Sequence, residues 1–128
     1  MRVEQEKVAL FHEKHSLPTA ERPGMVPRVL QDQRYKLIAE ELNELDEAMD
    51  VGSLVQVADA LADLLYVVLG TAVVFGIDME PIFDEVHRSN MTKDGLDPVT
   101  KKGGKGPAYE RPRLAELLII QGTQLWKT

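Results

Sequence analysis

Apolar residues recur along this chain at steps of three and four, and nowhere alternate long enough to make a sheet. That pattern predicts four helices. The first covers about 3–16, with Val8, Leu10 and Phe11 on its apolar side, and ends where Pro18, Pro23, Gly24 and Pro27 forbid continuation. The second covers 28–51, with Pro27 suited to its first turn and Gly52 to its C-terminal cap. Leu30, Leu37, Ile38, Leu42, Leu45 and Met49 make its apolar stripe. Ser53 caps a third helix over 54–75, which Gly76 closes. Asp78 caps a fourth over 79–91, with Pro81 inside the tolerated first turn. The Gly-, Pro- and Lys-rich stretch 92–112 reads as a loop. A final apolar stretch has Leu114, Leu117, Leu118 and Leu125 at helical spacing, so 113–128 reads as a helical extension of a domain covering 1–112. The class expected is all-α.

The third helix is apolar around almost its whole circumference. Such a helix must be buried on all sides. Four helices in one chain can scarcely surround one of their number, so a homo-oligomer, dimer or tetramer, is expected to cover it.

At 128 residues the chain is one ordinary domain, and at 44% hydrophobic and 28% charged it can bury a core. It has no cysteine, which excludes disulfides, thiolate metal sites and a cysteine nucleophile. The first ten residues lack the apolar run of a signal peptide. The longest uncharged apolar stretch, 64–77, has 14 residues, short of the ~20 that span a bilayer. A cytoplasmic protein without a membrane partner is expected, in a bacterial or phage-infected cell.

Charge is distributed unevenly. The net charge is −6, yet the 51 residues 37–87 hold twelve acids and no Lys or Arg, while 88–128 carry eight basic residues and four acids. That balance argues against a nucleic-acid surface. It also leaves buried acids in 37–87 without internal ion pairs. Asp59 and Asp63 lie on one face of the greasy third helix, and Glu40, Glu41 and Glu44 lie on the second. A two-residue turn makes these helices antiparallel neighbours, with the two acidic groups at matching heights. Converging carboxylates are the oxygen-rich environment that Mg²⁺ or Mn²⁺ selects. A merely solvated acidic face accounts for Asp46, Glu47 and Asp50, but not for Asp59 and Asp63.

Other chemistries fit less well. A di-iron bundle needs two Glu-x-x-His pairs, and only Asp84 to His87 comes close. His12 and His15 have the wrong spacing for a zinc protease and read as surface or cap histidines. KKGGKGPAY is no Walker loop, although Lys101, Lys102 and Lys105 among glycines would suit a polyphosphate. Asn90 and Lys93 stand one turn apart just before it.

The segments EELNEL, DALAD, EVHRSNMTK and KGPAYERP resemble those of the MazG-like all-α nucleoside triphosphate pyrophosphohydrolases, over about 8–112. The nearest branch is the deinococcal-type dUTP pyrophosphatases, often labelled phosphoribosyl-ATP pyrophosphohydrolase-like. The family's E-x-x-E is carried by Glu41 and Glu44. Its usual E-x-x-D is altered: position 60 is Ala, Asp59 stands one residue earlier, and Asp63 fills the last place. The resemblance implies a four-helix bundle that hydrolyses a nucleoside triphosphate to monophosphate and pyrophosphate. Glu41, Glu44, Asp59 and Asp63 would hold two or three Mg²⁺ or Mn²⁺ ions, which lower the pKa of an attacking water. Glu40 and Glu41 are then the catalytic carboxylates, with Glu40 orienting or deprotonating the water. Asn90, Lys93, Lys105 and Tyr109 would grip phosphates and sugar. The base would lie against Phe11, His15 and Leu17, although core packing also suits Phe11. The branch favours dUTP, and a related phage branch acts on dGTP or dATP. A non-catalytic helical oligomerisation module is the alternative of another class.

Overall fold

A two-residue joint organises the computed structural model, which describes residues 1–123. Helix α2 (Arg28–Val51) ends as Gly52 turns left-handed, at φ 75°, and donates its N–H to Ala48 O and Met49 O. Helix α3 (Leu54–Phe75) starts at once, with Ser53 Oγ accepting from Gln56 N at 3.3 Å. No chain is left over for any course but an antiparallel return, and α3 packs along the length of α2. Helix α1 (Arg2–Lys14) lies across the far half of α3, and Val8, Leu69 and Val73 form the buried cluster between them.

The joint from α3 to α4 (Met79–Asn90) is the second organising point. Gly76 adopts φ 72°, and a Cβ there would stand 2.2 Å from the Arg22 carbonyl oxygen. Both conformation and space therefore demand glycine. The same contact brings in the loop after α1, where Gly24 N donates to Phe75 O and Ala20 N to Val73 O, each at 3.1 Å. Two buried glutamines serve the next residues. Gln5 donates to Ile77 O at 2.6 Å and accepts from Met79 N at 3.0 Å. Gln121 accepts from Asp78 N at 2.9 Å and donates to Asp78 O at 3.0 Å. Gln121 belongs to a short helix α5 (Leu114–Thr123), which packs on α4.

The all-α expectation holds, and helices 2 and 3 occupy the expected spans. Two details differ. The buried row of α1 is Gln5, Val8 and His12, while Leu10 and Phe11 are exposed, because that row meets α3 and its polar members find backbone partners. The stretch expected as plain loop contains two very short strands, β1 (Asp94–Leu96) and β2 (Gly103–Gly104), paired antiparallel. Leu125 lies outside the described residues. Within the single chain, α3 is buried mainly in its second half: Leu54 and Val55 are 82% and 80% exposed. By length and composition α3 could also cross a membrane. Asp59 and Asp63, and its packing along strongly charged α2, are those of a bundle helix.

Glu85 fastens α5 to α4. It accepts from Arg88 Nη2 at 3.2 Å and from Arg113 N at 2.9 Å, and these donors hold its carboxyl down to about 2. A carboxylate depressed by folding adds stability above its unfolded value of about 4.5, and this is lost as pH falls towards 2. Glu85→Gln is therefore expected to flatten the decline of Tm across that acid window and leave its shape near neutrality unchanged. Thermal melts of both proteins as a function of pH measure it.

Candidate functional site

Because α2 and α3 run antiparallel from one joint, residues equally far from it face each other. Glu41 and Glu44, one turn apart on α2, meet Asp63 on α3, and one carboxylate oxygen from each lies within 4.8 Å of the other two. None of the three carries a salt bridge among the described residues. Glu41 Oε2 is buried and has no hydrogen-bond partner there. Burial raises the Glu41 pKa above the ordinary carboxylate range, and the charges of Glu44, Asp63 and Glu40 add to the rise. A buried acceptor without a donor, beside two further carboxylates, is a costly arrangement in the protein alone. A hard divalent cation would satisfy it, since every available ligand is an anionic oxygen. These residues fit the expected metal.

Asp59 is not part of this group. It lies one turn, about 6 Å, nearer the joint than Asp63 and is exposed. Glu40 is exposed on α2 and reaches the group through its charge on Glu41.

A cavity of about 420 Å³ adjoins the carboxylates, within the roughly 300–1,000 Å³ of small-molecule sites. Glu41 and Asp63 line it, as do Phe11 and Leu17 from the expected base contacts. Phe11 is 42% exposed and so is not core. Its ring meets Tyr66 edge-on at 5.6 Å between centroids, and His15 tilts against it at 4.5 Å. His15 thus touches the cavity wall through Phe11.

Asn90, Lys93, Lys105 and Tyr109 are not among the residues lining this cavity. They gather instead around the short hairpin. Lys93 folds over Gly103, where a Cβ would stand 2.7 Å from its Cδ. Lys105 Nζ lies 5.3 Å from the centroid of the Tyr109 ring. Asn90 is exposed at the end of α4. Buried Ser89 ties the returning chain to that helix through Glu110 O at 2.7 Å.

Two cavity residues carry no site role in the sequence expectations. His12, expected at a surface or cap, is 2% exposed, with Nδ1 3.0 Å from Pro18 O. Arg34 is 8% exposed, with Nε donating to Thr71 Oγ1 at 3.1 Å and Nη2 to Val67 O at 3.0 Å. The signal for Arg34 was present: it interrupts the stripe Leu30, Arg34, Leu37, Glu41 at a position that packing alone gives to an apolar residue.

Residues 8–90 match the phosphoribosyl-ATP pyrophosphohydrolase family. The chain is also 45% identical over 47 residues to uncharacterized protein L479 of Acanthamoeba polyphaga mimivirus. That alignment covers 37% of this chain, and the chain spans about a fifth (19%) of the relative's length.

The carboxylate group has a direct thermodynamic consequence. Millimolar Mg²⁺ or Mn²⁺ is expected to raise Tm by binding the folded state. Asp63→Asn is expected to abolish that rise while keeping or raising metal-free Tm, because it removes one member of a repelling group. An undiminished rise in the variant would mean that the ions bind elsewhere.

Proposed function

The chain belongs to the phosphoribosyl-ATP pyrophosphohydrolase family, and from that premise we propose that it hydrolyses a deoxynucleoside triphosphate to the monophosphate and pyrophosphate. The observation that carries the reading is the buried, unpartnered Glu41 Oε2 among Glu44 and Asp63, at the edge of a cavity sized for a nucleoside. Glu41, Glu44 and Asp63 hold the divalent ions, with Asp59 as a further ligand one turn away. Mg²⁺ or Mn²⁺ held there, two or three per site, would supply charge neutralisation for the phosphates and a more acidic water. Glu40 orients that water and takes its proton. The water oxygen bonds to the α-phosphorus in line with the bond that breaks, and pyrophosphate leaves.

Phe11 and Leu17 face the base, with His15 supporting Phe11, while Asn90, Lys93, Lys105 and Tyr109 reach the phosphates and sugar as the lysine-rich hairpin closes. The branch resemblance favours dUTP, with dGTP or dATP as the competing substrate. The enzyme acts as a homo-oligomer: the exposed Leu54, Val55, Leu61 and Leu65 of α3 form an apolar face that a second copy would cover.

Chromatography of products is expected to give a monophosphate and pyrophosphate, with diphosphates poorer substrates. Orthophosphate plus a diphosphate, or no turnover of any nucleotide with Mg²⁺ or Mn²⁺, would overturn the reading. Glu44→Gln and Asp63→Asn should each lower kcat by at least ~10²-fold, since each removes a ligand of an ion that acts in the transition state. Lys93→Ala should act at least partly through KM. For the assembly, light scattering after size exclusion is expected to give at least twice the chain mass of 14.3 kDa. A monomer at micromolar concentration would contradict the covered face.

A further inference from the structure

Arg34 is a buried cation with no salt bridge among the described residues. Burial alone acts on it and lowers its pKa, with no carboxylate raising it. A guanidinium has five N–H donors. Thr71 Oγ1 accepts from Arg34 Nε and Val67 O from Nη2, so protein backbone and hydroxyl take only part of that donor set. The position is built to admit it. Arg34 lies against Gly70, where a Cβ would stand 2.5 Å from Arg34 Nη2 and 2.9 Å from His12 Nε2. Any larger residue at position 70 would push the guanidinium off α3.

Arg34 lines the same cavity as Glu41 and Asp63, but sits two turns from Glu41, about 10 Å along α2. Between them the lining is apolar, including Leu37 and Val67. With the phosphates at the carboxylates, that interval is the place of the sugar, and Arg34 meets what lies beyond it. An arginine can donate and never accept. It suits a ring carbonyl such as O6 of guanine or O4 of uracil, and it opposes the amino group that adenine and cytosine carry at the same place.

Resting on the hydrolysis reading above, we propose that Arg34 is the residue that selects the base, and that the cavity takes nucleotides with a 6-oxopurine or 4-oxopyrimidine in preference to their amino counterparts. Thr71 is a positioning residue that holds the guanidinium through Nε.

Matched pairs test this: dITP against dATP, and dUTP against dCTP. In each, an oxo group replaces an amino group at the position concerned. Wild-type kcat/KM is expected to favour the oxo member of both pairs by at least ~10-fold, and Arg34→Gln, which can accept as well as donate, to bring both ratios to within about threefold of one. Should Arg34→Gln fail to fold, Thr71→Val carries the test, because freeing Nε should lower both ratios. Wild-type ratios near one overturn the proposal. So do ratios that the folded variants leave unchanged while all four nucleotides slow alike, the result expected of a phosphate contact. If no triphosphate is turned over, the hydrolysis reading fails separately. Calorimetric binding of dIMP against dAMP, and dUMP against dCMP, to the wild-type protein then decides: tighter oxo binding supports the proposal, and equal binding overturns it.

Discussion

Three carboxylates held together with no basic residue to answer them set the character of this molecule. The Gly52–Ser53 joint is too short to let α2 and α3 slide apart, so their acidic faces must meet. Nothing in residues 37–87 can neutralise the result. The chain carries an electrostatic cost that only something from outside relieves, and its other elements frame the space where that relief occurs. Helix α1 and its following loop wall the cavity through Phe11 and Leu17, and Arg34 lies two turns along α2.

The remaining cohesion is unusually polar. Few large apolar side chains are fully buried in the single chain, and Val8, Leu69 and Val73 form the central cluster. Around the α3–α4 joint, amide side chains do what apolar packing does elsewhere. Gln5 from α1 and Gln121 from α5 each satisfy a donor and an acceptor of backbone that neither helix hydrogen-bonds. Arg2 adds a 2.7 Å bond to the buried Asp78 carboxylate. A hydrogen bond is directional in a way that hydrophobic contact is not. These contacts fix the angle at which α1 and α4 leave α3, and with it the position of Phe11.

Much of this was legible from spacing. The joint residues Gly52, Ser53, Gly76 and Asp78 announce helix ends because each has one efficient structural use. The acidic heights on α2 and α3 follow from counting outward from the joint. Phe11 and Leu17 beside the carboxylates follow from the family resemblance. The misreadings share a cause. Leu10 and Phe11 were assigned inward and His12 outward by polarity, yet α1 turns its Gln5, Val8 and His12 row to α3 because backbone carbonyls wait there. Polarity predicts burial only where no partner is provided, and partners such as Pro18 O come from a loop whose course no periodicity encodes. Asp59 stands one turn from Asp63, on the half of α3 that the single chain leaves more open.

The two-residue joint also makes the acidic group local. Glu41 and Asp63 are close in sequence, and every residue between them belongs to the hairpin. Bringing them together closes only the loop of the hairpin itself, which costs less chain entropy than joining the distant ends of the chain would. A group so nearly self-contained is also portable: a helical hairpin joined to other sequence, at either end, takes its acids along already in register.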